Sequence, residues 1–151
     1  MRLWGHPIHP MLVHFPVALW TVATGAYVAA AAGLGQDAAA IAKWSNGIGL
    51  IMAMLAMVAG ALELRAIEGR SEAMRVATWH MMVMATVWVC FVMALVLPMS
   101  AGVATDRSTV QLSAAAAAVA GFLLMTVGGW LGGRLVYEFA IGVRERTKQA
   151  G

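Results

Sequence analysis

Long apolar stretches alternate with short charged segments along the chain. Four stretches contain no Asp, Glu, Lys or Arg: residues 3–36, 44–62, 76–105 and 108–133, which hold 34, 19, 30 and 26 residues. A helix of about 20 apolar residues crosses the hydrocarbon core of a bilayer, so each stretch is long enough for one. Within lipid, backbone N–H and C=O groups find hydrogen-bond partners only in helices or closed β-barrels. No stretch shows the alternating pattern of barrel strands, so helices are expected. The pattern therefore predicts four transmembrane helices.

The predicted helices cover residues 10–32, 45–63, 76–97 and 110–140. Their short connections leave no room for a separate soluble domain, and no internal sequence repeat is convincing. Composition agrees, because 62% of the residues are hydrophobic and 11% are charged, whereas soluble domains carry roughly a quarter charged residues. We therefore expect a single all-α domain over residues 1–151, an integral membrane four-helix bundle in contact with the lipid bilayer.

The basic residues predict the orientation of the bundle. With four helices both termini lie on one side of the membrane, and eight of the ten Lys and Arg residues fall on that side. These eight are Arg2, Arg65, Arg70, Arg75, Arg134, Arg144, Arg146 and Lys148. Only Lys43 and Arg107 fall on the other. Because basic residues favour the cytoplasmic side, both termini are expected in the cytoplasm, and the net charge of +3 reflects topology rather than a nucleic-acid partner.

Small residues recur along one face of the first two predicted helices. Such stripes let helix backbones approach closely in lipid. The first stripe consists of His14, Ala18, Thr21, Gly25 and Ala29, and the second of Gly49, Ala53, Ala56, Gly60 and Glu63. The stripes predict that the side chains of His14 and Glu63 face the inside of the bundle.

The ionisable residues of the apolar segments share one end of the bundle. The histidines are His6, His9, His14 and His80. All four lie near the side of the termini, and so do Glu63 and Arg134. Ionisable groups in lipid are costly, and by default they suggest a functional site. The segment His6-Pro7-Ile8-His9-Pro10, followed by His14-Phe15-Pro16, is also stiffened by its prolines, which suits a preorganised ligand site.

Three segments resemble the DUF2231 family of predicted bacterial membrane proteins. They are the motif from His6 to Pro16, the segment from Glu63 to His80, and Gly133-Arg134-Leu135-Val136-Tyr137-Glu138. The resemblance covers nearly the whole chain and implies a multi-pass protein of the bacterial cytoplasmic (inner) membrane, of unassigned function and sometimes joined to redox modules in relatives. Glu63 stands where an aspartate is expected in the family, which keeps the carboxylate. Phe139 or Ala140 stands where a glycine is common, a departure in the fourth helix.

One hypothesis for the histidines is a haem b. His14 and His80 would be its axial ligands from two facing helices, since haem iron takes axial histidines and bundle cores commonly hold cofactors. Arg134 or Arg65 would pair with the propionates. With both axial positions filled, the protein would relay electrons, with a quinone or a partner redox protein as donor or acceptor.

Two other hypotheses use the same residues. A non-haem iron, zinc or copper ion would use ligands from a larger set, because imidazole and carboxylate suit these metals. This set is His6, His9, His14, His80 and Glu63. Alternatively, these side chains hydrogen-bond to one another in a cofactor-free accessory subunit of a larger membrane complex. A proton or solute path is the remaining alternative. No serine has the surroundings of a hydrolytic nucleophile, so an electron-transfer or accessory protein is expected rather than a stand-alone enzyme.

Overall fold

Four long helices form the computed structural model of the chain, which describes residues 2–3, 6–35, 37–65, 67, 69–100 and 106–142, with side chains from residue 8 onward. They are α1 (Ile8–Ala31), α2 (Ala38–Leu64), α3 (Glu72–Ser100) and α4 (Arg107–Tyr137). Two-residue strands β1 (Arg2–Leu3) and β2 (His6–Pro7) pair antiparallel before α1. All four helices are long and apolar enough to cross a membrane. The predicted all-α membrane fold is confirmed, while the side on which the termini lie stays a prediction.

All four helices begin before their predicted starts, because a helix need not begin where the hydrocarbon begins, whereas α1 and α4 end before the predicted 32 and 140, at Ala31 and Tyr137. α2 begins at Ala38 rather than at 45, so Lys43 and Trp44 continue it as exposed residues. Lys and Trp side chains suit the headgroup region. Of the basic residues that predict the orientation, Arg144, Arg146 and Lys148 lie outside the described residues.

α4 begins with a side-chain cap. The carboxylate of Asp106 accepts hydrogen bonds from the backbone N–H groups of Ser108 and Thr109, at 3.4 and 3.0 Å, and from both hydroxyl groups. These bonds lower the pKa of Asp106 to about 2, because they stabilise the charged carboxylate. The cap satisfies amides that the first turn of the helix leaves free, which explains why α4 begins at Arg107.

The four helices pack as two hairpins, α1 with α2 and α3 with α4. His9 and Trp20 lie eleven residues apart in α1, as do His80 and Phe91 in α3. Glycines recur at the same spacing in the second helix of each hairpin, as Gly49 and Gly60 in α2 and Gly121 and Gly132 in α4. The hairpins are therefore equivalent at these positions. The sequence predicts no internal repeat, because these few matching positions lie eleven residues apart among residues that differ.

The contact between the hairpins centres on a stacked aromatic pair. The rings of Trp20 and Phe91 have centroids 4.4 Å apart and an interplanar angle of 4°, and neither residue is exposed. Each ring lies where a glycine leaves room: a Cβ at Gly49 would lie 2.8 Å from the Trp20 ring, and one at Gly121 would lie 3.0 Å from Phe91. These glycines allow the close approach that helix packing in lipid requires.

Asn46 adds a buried polar link between the hairpins. Its Nδ2 donates to the backbone carbonyl of Phe91 at 2.9 Å and to the hydroxyl oxygen of Tyr27 at 3.0 Å. Asn46 is fully buried, so these bonds form in a low-dielectric interior where they are strong. Trp88 adds a further bond, from its Nε1 to the Leu50 carbonyl at 3.3 Å. Hydrogen bonds thus tie α2 to α3.

We predict that Gly49→Ala destabilises the bundle while Gly47→Ala does not. A Cβ at Gly49 meets the rigid Trp20 ring at 2.8 Å, whereas at Gly47 nothing lies within 4 Å. Overpacking at Gly49 is expected to lower the free energy of unfolding by about 1–3 kcal/mol. Gly47→Ala is expected to be neutral or to gain up to about 1 kcal/mol of helix propensity. Unfolding of the purified variants in mixed micelles measures both, and equal effects would contradict the packing described.

Candidate cofactor site

His9 lies in the first turn of α1, beside α2. Its Nδ1 lies 2.7 Å from the carbonyl oxygen of Ala56. A carbonyl only accepts hydrogen bonds, so Nδ1 carries a proton, and in the neutral form of the ring Nε2 keeps a free lone pair. Pro10 suits this position, since a first-turn residue needs no N–H for the helix. The start of α1 thus presents an imidazole with a defined tautomer.

His80 repeats this arrangement in the other hairpin. Its Nδ1 donates to the carbonyl oxygen of Gly128 in α4 at 2.8 Å, which again leaves the lone pair on Nε2. Both histidines are half-buried. The accepting residues are equivalent, because Ala56 and Gly128 each precede a glycine of the repeated pair by four residues.

The two imidazoles lie close together across the boundary between the hairpins. Their ring centroids are 6.4 Å apart and their planes are perpendicular. Two imidazoles that bind one ion from opposite sides, with metal–nitrogen distances of about 2.0 Å, have centroids about 6 Å apart. The separation therefore fits a single ion shared by the two rings. The bond from each Nδ1 to a carbonyl is also the usual outer support of a metal-bound histidine.

Glycines make room for both rings. A Cβ at Gly60 would lie 3.1 Å from Cε1 and Nδ1 of His9, and one at Gly132 would lie 3.2 Å from Cε1 of His80. Any side chain at either glycine would press on the imidazole and shift it. Gly60 and Gly132 therefore set the position of the two rings.

The structure pairs His9, rather than His14, with His80. His14 is exposed on the outer surface of the bundle, together with Ala18, Thr21 and Gly25 of its stripe. The inner face of α1 instead carries large residues, among them Trp20 and Tyr27. The stripe of small residues predicted the wrong inner face of α1, because the ring of Trp20 packs against Gly49 of the neighbouring helix α2. The stripe of α2 does face inward, with Gly49, Ala53 and Ala56 buried.

The other predicted ligands are placed as follows. Glu63 lies near the end of α2, one turn beyond Gly60, with its Oε1 buried. The side chain of His6 lies outside the described residues. Among the side chains that the structure describes, no three from His, Cys, Asp and Glu gather where they could hold one metal ion. The described site therefore consists of two imidazoles, with Glu63 on the same end of the bundle.

Arg134 lies two residues beyond Gly132, near the end of α4. Its Nε donates to both carboxylate oxygens of Glu138 at 2.9 Å, and its guanidinium lies 5.4 Å from the centroid of the Trp130 ring. The bond lowers the pKa of Glu138, because the cation stabilises the charged carboxylate. Arg134 thus binds a carboxylate at the histidine end of the bundle, and in this structure the carboxylate is that of Glu138.

The comparisons with known proteins identify a family and no activity. The family model described as "Predicted membrane protein (DUF2231)" matches residues 5–145. The chain belongs to the DUF2231 family. No curated protein and no solved structure matches it. The matched region includes all four helices and both paired histidines. The fold and the histidine pair therefore both lie within the DUF2231 region of the chain.

The sequence predictions and the described geometry overlap in part at this candidate site. The predictions named His80, and they named His9 only as one of several metal ligands. The recurrence of a histidine followed eleven residues later by a large aromatic residue would have paired His9 with His80. Asn46 was missed, since a single amide within an apolar helix has no pattern that reveals its partners.

We predict that His9 and His80 of this DUF2231 protein are protonated on Nδ1 in the absence of bound ligands. The ¹⁵N spectrum of histidine-labelled protein should contain two rings in this tautomer, because a carbonyl oxygen accepts from each Nδ1. His9→Ala and His80→Ala should each remove one, whereas His14→Ala, which changes an exposed residue of the same helix as His9, should remove neither. Finding both rings protonated on Nε2 instead would contradict the described bonds.

Proposed function

We propose that the protein is a haem b-binding electron-transfer module of the bacterial cytoplasmic (inner) membrane, with His9 and His80 as axial ligands and both termini in the cytoplasm. The observation that carries the proposal is the pair of perpendicular imidazoles, 6.4 Å apart, each held by a bond from Nδ1 to a helix carbonyl. His9 replaces His14 in the pairing expected from sequence. The position of His14 on the outer surface supports this choice.

Two features around the imidazoles support such a group. Gly60 and Gly132 place no side chain beside the rings, and the two ligands come from facing helices, as is common for cofactors in bundle cores. When held by His9 and His80, such a group would supply one-electron exchange. The donor set of two neutral imidazoles suits this role.

The chain's own residues would orient the ligands and balance charge. The carbonyls of Ala56 and Gly128 accept from Nδ1, which fixes each ring and increases the basicity of Nε2. Arg134 would pair with a propionate in the same bidentate way as it pairs with Glu138. Glu63 and His6, at the same end, would hold protons or orient ligands. A quinone or a partner redox protein would exchange electrons with the module.

A second candidate function is that of a cofactor-free accessory subunit in a larger membrane complex. One observation favours it: both imidazoles already hydrogen-bond to a neighbouring helix, so the histidines would join α1 to α2 and α3 to α4 without any ligand. A non-haem iron, zinc or copper ion held by the same two rings is the other candidate ligand, because imidazole suits these metals. Spectroscopy and metal analysis separate the three.

We predict that protein purified from haem-replete membranes shows haem b bands in its reduced-minus-oxidised spectrum, with about one haem per chain. His9→Ala and His80→Ala should abolish the bands, because each removes an axial ligand. His14→Ala is the matched control and should retain them. Bands that depend on His14 and not on His9 would reject the pairing. A spectrum without bands beside stoichiometric iron, zinc or copper would favour the metal ion, and a folded protein without either would favour the accessory role.

We predict that Gly132→Ala weakens haem retention or shifts the midpoint potential, whereas Gly129→Ala leaves both unchanged. The added methyl group at Gly132 lies 3.2 Å from His80 Cε1, while nothing lies within 4 Å of the position at Gly129. The first change would displace an axial ligand without removing it. Redox titration of both variants at matched protein loading measures the effect, and identical potentials and occupancies would argue against His80 as a ligand.

A further inference from the structure

A cavity of about 260 Å³ lies at the end of the bundle remote from the two histidines. All four helices contribute to its wall, which includes Tyr27, Lys43, Leu95, Pro98 and Gln111. Most of the wall is apolar, with alanines and Met99 completing it. The volume accommodates one substituted six-membered ring.

The cavity lies where the equivalence of the two hairpins ends. Tyr27 follows His9 by eighteen residues, and Pro98 follows His80 by the same number. A large aromatic side chain in one hairpin therefore corresponds to a small ring in the other. Pro98 also lacks an N–H inside α3, so the backbone carbonyl one turn earlier has no helical donor there. This difference leaves space between the hairpins.

The polar side chains of the wall offer hydrogen-bond donors. The hydroxyl oxygen of Tyr27 already accepts from Asn46, so its hydrogen remains available to donate. Lys43 offers an ammonium group and Gln111 an amide. Among the residues that the structure describes, no acidic side chain lines the cavity. An apolar ring with oxygen acceptors at its edge matches this wall.

Hydrogen bonds connect the wall of the cavity to the core of the bundle. Asn46, which donates to Tyr27, also donates to the carbonyl of Phe91, whose ring stacks on Trp20. This aromatic pair lies eleven residues from the histidines along α1 and α3, or about 16 Å at the helical rise. The histidine pair, the aromatic pair and the cavity thus follow one another along the bundle.

We propose that this cavity binds the headgroup of a quinone. The ring would lie against the apolar wall, its carbonyl oxygens would accept from Tyr27, Lys43 and Gln111, and its isoprenoid tail would extend into the surrounding lipid. The inference rests on the proposed function, because an electron-transfer centre within a bilayer calls for a lipid-soluble redox partner. It also places that partner at the opposite end of the bundle from the histidines.

Binding of a short-chain 1,4-benzoquinone to the full-length protein in lipid nanodiscs tests the proposal, with protein-free nanodiscs as the blank. Ala30→Leu fills the cavity from α1, and Gln111→Leu removes a donor from α4. We expect each to weaken binding by about tenfold or more. Ala120→Leu, on the exposed face of α4, is the control and should bind like the unchanged protein.

The same samples separate this inference from the proposed function. Weaker quinone binding in the two cavity variants and not in the control supports the cavity, whether or not the samples contain haem. Equal binding in all variants overturns the cavity assignment, as does displacement of the quinone by an equal concentration of a saturated fatty acid, which would identify an acyl-chain site. Haem bands in the reduced-minus-oxidised spectrum report on the histidine site independently. Failure of quinone binding therefore does not decide whether haem binds, and absence of haem bands does not decide whether the cavity binds a quinone.

Discussion

The seating of a ring against a glycine is the contact on which the rest of this bundle depends. Lipid solvates apolar side chains as well as a helix does, so helices must gain from close packing and from hydrogen bonds. Here Trp20 lies against Gly49 and Phe91 against Gly121, which brings the two rings into a stack between the hairpins. With the hairpins held at this distance, Asn46 reaches the Phe91 carbonyl. The two histidine rings are positioned in the same way at the end of the bundle, against Gly60 and Gly132.

The candidate site is made of two equivalent halves. Each hairpin contributes an imidazole, a carbonyl that binds its Nδ1, and a glycine beside the ring. Such a pair would hold a bound metal ion between the hairpins. At the other end the halves differ, with Tyr27 in one and Pro98 in the other. The cavity lies where the equivalence is lost, and its donors come from both hairpins, Tyr27 and Lys43 from one and Gln111 from the other.

The sequence revealed the number of helices and the end at which ionisable residues gather, because the cost of charge in lipid acts on every residue separately. It did not reveal which histidine of α1 faces inward. That choice depends on where α1 begins, at Ile8 rather than at 10, and on large side chains packing into glycines of other helices. His14 was predicted to face inward because it belongs to a stripe of small residues, and that stripe lies on the outer surface. Asn46 was beyond prediction, since its two partners lie on α1 and α3 and no local pattern records them.

If one ligand binds both imidazoles, their division between the hairpins would link ligand supply to the amount of protein in the membrane. A ligand that binds both rings binds only the assembled bundle, so it stabilises that state by mass action and leaves separated hairpins unaffected. The unliganded chain would keep the aromatic stack and the Asn46 bonds but lose the bridge at its other end. Membrane proteases that remove loosely packed chains would then degrade it faster when the ligand is scarce. The cell would hold as much of this protein as it can supply with cofactor.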